Sequence, residues 1–172
     1  MSPTIRVPRI DELELLREIE RAAGRLFAQV DLAGVAAHEP ESVEALAQYT
    51  RTGRAWVVVS DVDDPVGYAV VDIVGGLAHL EQLSVHPDHG RKGLGAMLLE
   101  HVCRWAQERR YAAITLTTFA EVAWNAPFYA QHGFRVLTDD ELGPELGALR
   151  AHEAELGLDP TRRVCMRREL AP

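Results

Sequence analysis

The sequence predicts a single α/β domain over residues 1–172, a mixed β-sheet flanked by helices. Two observations predict this fold class. Short Val-rich segments joined by turn residues occupy the first half of the chain, and segments with strand and helix periodicity alternate in the second half. The length and the 47% of hydrophobic residues suit one domain with a sizeable core. Early hairpins followed by strand-helix alternation give the expected order βααβββαβαβ(α)β, with parallel and antiparallel neighbours.

The first half of the chain is predicted to contain a strand, two helices and three further strands. Asp11 is expected to cap the first helix, because its side chain can accept a hydrogen bond from the N–H groups that follow. Apolar residues recur at helical spacing after it, namely Leu13, Leu16, Ile19, Ala23 and Leu26. The elements expected here are a strand at 5–7, helices at 11–26 and 42–49, and strands at 55–60, 66–74 and 78–85. Turn residues 61–65 and Gly75-Gly76 separate these last strands.

The second half begins with a long helix over 93–109, followed by strand and helix segments in alternation. These are a strand at 113–118, a helix at 125–132 closed by Gly133, and strands at 134–137 and 163–169. Residues 139–160 form an insertion with an amphipathic helix that starts near Pro144. This insertion is a candidate lid or homodimer surface.

Composition excludes several classes of function. The net charge of −8 and the pI near 5.3 argue against a nucleic-acid partner, which clustered Lys and Arg would bind, and suit a cationic substrate better. Cys103 and Cys165 lie far apart and outside any C-x-x-C pattern, so neither a metal site nor a disulfide is predicted. The chain also lacks a signal-like N-terminus and a membrane-spanning apolar run. We therefore expect a cytoplasmic protein that does not bind membranes.

A glycine-containing loop over 90–95 precedes the long helix. Helix N-termini present unpaired N–H groups and the positive end of the helix dipole, and glycines allow an anion to approach them closely. Arg91 and Lys92 add positive charge beside Gly93 and Gly95. The Walker pattern and the G-x-G-x-x-G pattern are both absent, which argues against ATP and NAD. On its own, the loop predicts an anion site or a simple tight turn.

The wider sequence resembles the GCN5-related N-acetyltransferase (GNAT) family. Residues 80–95 are similar to its signature, a strand ending in V-x-P and then Q/R-x-x-G-x-G/A at a helix start. Residues 124–134 look like its second motif, an N-x-x-x-x-Y helix ending in G-F. The resemblance implies the GNAT-like fold and acetyl-CoA as cosubstrate, without a metal. One departure is that Gly90 occupies the Q/R position, which shifts more of the pyrophosphate binding to backbone amides and Arg91.

The resemblance also implies which residues bind acetyl-CoA. Backbone amides of the loop would hold the pyrophosphate, and the backbone of Leu83 and Val85 would pair with the pantetheine arm. The Leu83 N–H could also polarise the thioester carbonyl. Asn125 either contacts the same arm or caps its own helix. The predicted cofactor residues are Leu83, Val85, Gly90, Arg91, Lys92, Gly93, Leu94, Gly95, Ala96 and Asn125.

Acetyl transfer to an amine needs a base for the ammonium proton and an acid for the departing thiolate. Glu81 is the leading candidate for the base, and His79 lies two residues earlier on the same strand face. Glu81 could instead pair with an Arg or bind substrate charge. Tyr129 matches the family tyrosine that protonates the thiolate, and the alternative is a core aromatic beside Phe128.

These residues predict an N-acetyltransferase in which an amine attacks acetyl-CoA directly within a ternary complex. No covalent intermediate is expected, because Cys103 and Cys165 fall within a helix and a strand. A small-molecule amine is the favoured acceptor. The alternatives are a non-catalytic acyl-CoA-binding sensor module and an acetyltransferase for protein lysines or N-termini.

Overall fold

The computed structural model describes residues 2–172 and contains a seven-stranded mixed sheet flanked by helices, which confirms the predicted fold class. The strands are β1 (Thr4–Arg6), β2 (Ala55–Val59), β3 (Pro65–Val74), β4 (Leu77–Val85), β5 (Ala113–Phe119), β6 (Arg135–Val136) and β7 (Arg163–Glu169). The α-helices are α1 (Leu13–Gly24), α2 (Ala33–Ala36), α3 (Val43–Arg51), α4 (Leu94–Glu108), α5 (Ala126–Gln131) and α6 (Gly143–Glu155).

The strand order in the sheet is β1-β2-β3-β4-β5-β7-β6. The β4 and β5 strands run parallel, with Ala78 opposite Ile114 and His79 opposite Thr115. Antiparallel pairs join β1 to β2, β2 to β3, β5 to β7 and β6 to β7. The parallel pair is joined by a connection that contains α4, as parallel strands require.

The turn before β4 has the backbone that its sequence predicts. Gly75 and Gly76 have φ values of +59° and +76°. Two successive positive φ values are the requirement of the tight hairpin turn that matches the twist of its strands, and glycine adopts them without a Cβ penalty. This turn brings β4 back alongside β3 and so sets the start of the strand that carries the candidate base.

The chain divides into two compact units. The first comprises the described residues up to Val71 together with Gln82–Val102, and the second comprises Asp72–Glu81 together with Cys103–Pro172. In the first unit, α1 and α3 bury apolar side chains against β2 and β3. The core members are Leu13, Leu16, Ile19, Leu46, Ala47, Ala55, Val57, Val59, Tyr68 and Val70.

The start of α1 differs from the prediction. Asp11 does not cap it, because it lies within a 3-10 turn over Ile10–Glu12 that precedes the α-helix. The Glu12 carboxylate instead accepts the N–H of Arg9 and pairs with the guanidinium of Arg6. A carboxylate one residue later therefore satisfies the free N–H group and ties the helix to the first strand.

The insertion between β6 and β7 forms α6, which begins next to Pro144 as predicted. Its Leu146 is buried with Leu137 and Cys165, and Leu142 and Leu149 pack against the same cluster. These apolar side chains are therefore used within the second unit itself. Leu156 lies beyond the helix and remains 55% exposed. No helix among residues 2–172 is long and apolar enough to cross a membrane.

Candidate active site

The predicted anion loop lies between β4 and α4 in the first unit. After β4 ends at Val85, a 3-10 turn covers Pro87–His89, and the Gly90 N–H donates to the Pro87 carbonyl at 3.1 Å. The fifteen-residue helix α4 then begins at Leu94. The loop thus leads directly into the N-terminus of a long helix, where the dipole and the free N–H groups favour an anion.

Two loop residues have left-handed backbone, Arg91 with φ +61° and Gly93 with φ +77°. A positive φ is uncommon for a residue with a side chain, and left-handed residues turn neighbouring N–H groups into an anion-binding concavity. The Gly93 carbonyl accepts the Met97 N–H at 3.0 Å, so the residues after Gly93 begin the first helical turn, in which N–H groups lack intrahelical acceptors. Arg91 and Lys92 are exposed beside these groups.

Gly90, the irregular position of the loop, has an ordinary φ of −67°. A Cβ there would lie 3.2 Å from the Pro87 carbonyl oxygen, which is closer than most Cβ contacts. The tight turn after Pro87 therefore leaves little room for a side chain at this position. The structure thus gives a local reason for glycine where a longer residue was expected.

The remaining predicted cofactor residues of the first unit lie on either side of the loop. Leu83 and Val85 are half-buried on β4, and the buried Ser84 between them accepts a hydrogen bond from Gln82 at 2.7 Å. Leu94 is buried in the first turn of α4, and it is followed there by half-buried Gly95 and Ala96. The first unit therefore contains every predicted cofactor residue except Asn125.

The second unit contains the predicted reacting groups. His79 Nδ1 lies 2.8 Å from the Thr115 hydroxyl oxygen on the neighbouring parallel strand. His79 Nε2 lies 3.9 Å from a carboxylate oxygen of Glu81. The His79 side chain is 2% exposed whereas that of Glu81 is 31% exposed. Only Glu81 of this pair is therefore open to solvent.

Burial lowers the pKa of His79 from 6.5 to about 4, although the nearby carboxylates of Glu153 and Asp72 act in the opposite direction. The imidazole is therefore neutral at pH 7. The His79 side chain also has almost no access to solvent, so an acceptor amine would have to enter the core to reach it. These properties favour Glu81 over His79 as the group that meets an acceptor amine.

Tyr129 lies on α5 and is 8% exposed. Its ring makes edge contacts with Phe128 and Phe134 at centroid distances of 5.2 and 5.7 Å. Burial raises the pKa of the Tyr129 phenol above its usual range, so the hydroxyl stays protonated at any physiological pH. The side chain thus has the protonation state that a proton donor needs, within an aromatic surrounding that fixes its ring.

Asn125 occupies the N-cap position of α5, but its side chain does not cap the helix. Its Oδ1 instead accepts the backbone N–H of Phe119 at 3.2 Å. The capping role is therefore wrong, and the side chain connects the end of β5 to the start of α5. Its contact with the pantetheine arm stays a prediction.

Comparison with known proteins decides the family. Residues 14–134 match the acetyltransferase (GNAT) family. The chain belongs to this family. The matched range includes both motifs, from the β4 strand through the loop to the Tyr129 helix, and the chain is accordingly an N-acetyltransferase whose cosubstrate is acetyl-CoA.

The chain is 28% identical over 106 residues to the peptidyl-lysine N-acetyltransferase YjaB of Salmonella typhimurium, a match that covers 62% of this chain and 67% of that protein. Its fold is similar to that of the PaiA N-acetyltransferase of Thermoplasma acidophilum in complex with coenzyme A, with a TM-score of 0.66, 17% identity and coverage of 98% and 99%. It is also similar to N-acetylglutamate synthase of Neisseria gonorrhoeae complexed with coenzyme A and N-acetyl-glutamate, with a TM-score of 0.74, 16% identity and coverage of 100% and 36%.

The acetyltransferase loop of this chain fits the cosubstrate. A pyrophosphate is an anion that needs converging N–H donors, and left-handed residues at a helix start, such as Arg91 and Gly93, favour such an arrangement. Binding of the pyrophosphate by these residues stays a prediction. Among residues 2–172 no cluster of three or more His, Cys, Asp or Glu side chains is placed to hold a metal ion. Cys103 and Cys165 are both buried, and neither forms a disulfide within the part of the chain that the structure describes.

The sequence did not predict a partly buried polar network near His79 in this acetyltransferase. The Thr117 hydroxyl donates to Glu153 at 2.6 Å, and Arg163 pairs with Glu153 at 3.1 Å. Thr115 is two residues before Thr117 on β5 and bonds His79. The sequence signal for this network was a pair of threonines, Thr115 and Thr117, at alternate positions of β5. A buried hydroxyl requires a hydrogen-bond partner, so such a pair predicts polar partners nearby.

Proposed function

We propose that this acetyltransferase moves the acetyl group of acetyl-CoA to a primary amine of a small molecule, by direct attack in a ternary complex. The observation that carries the proposal is Tyr129, a buried phenol held protonated on the helix that follows β5. A core aromatic needs no hydroxyl, whereas a departing thiolate needs a proton. Half-exposed Glu81 in the same unit supports the complementary role of base.

The proposal assigns the cosubstrate to the loop of the first unit. The backbone N–H groups of Arg91, Gly93, Leu94, Gly95 and Ala96 would hold the pyrophosphate. The backbone of Leu83 and Val85 would pair with the pantetheine arm like an added strand, and the N–H of Leu83 would polarise the thioester carbonyl. Gly90 would contribute no side chain, so Arg91 and Lys92 would supply the charge.

The proposed reaction consists of proton transfers and one acetyl transfer. Glu81 takes a proton from the acceptor ammonium, directly or through a water, which frees the nitrogen lone pair. That lone pair forms the new bond to the acetyl carbon, and the bond from this carbon to sulfur breaks. Tyr129 gives its hydroxyl proton to the sulfur, so that coenzyme A leaves as a thiol. The amide nitrogen gives its remaining extra proton to the Tyr129 phenolate, directly or through a water, and Glu81 releases its proton to solvent.

The acidic balance of the chain supports an amine as acceptor. A net charge of −8 attracts cationic substrates. The similarity to a peptidyl-lysine acetyltransferase favours a second candidate, modification of protein lysines. An acyl-CoA sensor without turnover is the third reading, and retention of Tyr129 and Glu81 argues against it.

The test is an acceptor panel with two readouts. Coenzyme A thiol release and product mass are measured with acetyl-CoA and four probes: an alkyl diamine, free amino acids, an N-terminally blocked lysine peptide and a peptide with a free N-terminus. Turnover confined to the small amines supports the proposal. Turnover confined to the peptides overturns the choice of acceptor, and tight acetyl-CoA binding without turnover on any probe overturns the enzymatic role.

A further inference from the structure

Three side chains of the second unit form a row that crosses from β5 to β4, namely Thr115, His79 and Glu81. We propose that Thr115 is a positioning residue, whose hydroxyl donates to His79 Nδ1 and thereby places the imidazole proton on Nε2, facing Glu81. The inference rests on the proposed function, in which Glu81 is the base. It adds a role for two buried residues that would not touch the substrate.

The hydrogen-bond distances favour this direction of donation. The Thr115 hydroxyl has one proton and two neighbouring acceptors, His79 Nδ1 at 2.8 Å and the Ala78 carbonyl at 3.5 Å. The contact at 3.5 Å is at the limit of a hydrogen bond, whereas 2.8 Å is a full one. When the hydroxyl donates to Nδ1, a neutral imidazole must carry its proton on Nε2.

The charges around His79 favour the same tautomer. The groups that face it are the carboxylates of Glu81 on its own strand, Asp72 on β3 and Glu153 on α6, the last of which is paired with Arg163 on β7. An unprotonated Nε2 would direct its lone pair toward the Glu81 carboxylate, 3.9 Å away. An N–H at that position is attractive instead.

Burial prevents the imidazole from gaining a second proton, since desolvation lowers the pKa of His79 to about 4. His79 therefore acts as a fixed neutral dipole rather than as a titrating base. At 3.9 Å its effect on Glu81 is electrostatic, because this separation exceeds a hydrogen bond. The expected consequence is that the Glu81 carboxylate stays ionised, and so competent as a base, to lower pH.

The first test reads the tautomer directly and needs neither substrate nor turnover. Long-range nitrogen-proton NMR spectra of the nitrogen-15-labelled chain at pH 7 distinguish protonated from unprotonated ring nitrogens, and loss of one signal set in His79→Gln assigns this histidine. We expect Nδ1 of His79 to be the unprotonated nitrogen. An unprotonated Nε2, or a doubly protonated ring, would overturn the inference whether or not the chain acetylates any amine.

The second test measures the pH profile of kcat/KM with the most active small amine of the acceptor panel. In Thr115→Val we expect the acid limb to move to higher pH by roughly half a unit or more, with unchanged affinity for acetyl-CoA. Thr115→Ser retains the hydroxyl and should restore the original limb. Thr118→Val is the matched control, because Thr118 is a buried threonine of the same strand without a bond to His79.

The two variants separate positioning from simple packing. If Thr115→Val and Thr115→Ser lose rate equally at every pH, or if the acid limb of Thr115→Val does not move, Thr115 has no positioning role. If no amine is acetylated, the proposed function fails, but the NMR result still decides the tautomer. The same amine is used throughout, so its own titration cancels between variants.

Discussion

Replacing Tyr129 with phenylalanine removes one oxygen atom from a side chain that is 8% exposed and keeps the ring that packs on Phe128 and Phe134. General acid catalysis by a positioned group contributes about 10²- to 10⁴-fold in rate. We therefore expect kcat of Tyr129→Phe to fall by roughly this factor, which corresponds to about 3 to 5 kcal/mol of transition-state stabilisation. Acetyl-CoA affinity should change little, since the proposed cradle lies in the loop over 90–95.

The assay combines three measurements on the same preparation: kcat from thiol release, acetyl-CoA affinity from calorimetry and the free energy of unfolding from urea titration. Tyr111→Phe is the matched control, because it deletes the same atom from a tyrosine that stacks on Trp105. It should leave kcat unchanged. A loss of acetyl-CoA binding as large as the loss of rate in Tyr129→Phe would show that the hydroxyl supports the structure rather than the chemistry.

Three further predictions concern the loop, the buried network and pH. Gly95→Glu places negative charge in the first turn of α4, so calorimetry should show acetyl-CoA affinity at least about 100-fold weaker. The control is Gly24→Glu at the end of α1, where a Cβ would meet nothing within 4 Å, and this variant should bind acetyl-CoA normally. Glu153→Ala removes the carboxylate that pairs with partly buried Arg163 and should lower the free energy of unfolding by about 1 to 3 kcal/mol in urea titration, more than exposed Glu155→Ala does. The pKa of His79 is 6.5 in the unfolded chain and about 4 when folded, so the unfolded state binds more protons between these pH values. The contribution of His79 to the free energy of unfolding is therefore complete above pH 6.5 and declines by about 3 kcal/mol as the pH falls to 4. His79→Gln should flatten this part of the stability profile, and an unchanged slope would show that other groups cause it.

Local chemistry explains why the loop and the turns could be predicted. Gly75 and Gly76 adopt the positive φ values that their turn requires, and the boundaries of β7 match the predicted 163–169. The helix starting near Pro144 was also predictable, because proline suits a first helical turn. In each case the residues that decide the structure are neighbours in sequence.

The sequence could not predict the contacts that depend on strand register between distant parts of the chain. The bond between His79 and Thr115 joins residues 36 positions apart on parallel strands, and a slip by one residue would turn either side chain to the other face. The same limit applies to Glu153, whose partners Thr117 and Arg163 lie on two other elements. The capping alternative for Asn125 was wrong for a different reason: its amide oxygen accepts the N–H of Phe119 at the end of β5, outside its own helix.

Different degrees of burial give His79 and Glu81, two polar residues of β4, different roles. The two side chains lie 3.9 Å apart, yet that of Glu81 is 31% exposed and that of His79 is 2% exposed. Water can therefore stabilise the charge of Glu81, and an amine can reach it, whereas desolvation keeps His79 neutral. Between pH 5 and 8 the imidazole of His79 would therefore keep the same neutral charge. An imidazole in this position therefore contributes a constant dipole, which makes the proton acceptor less sensitive to pH than a carboxylate paired with an exposed histidine would be.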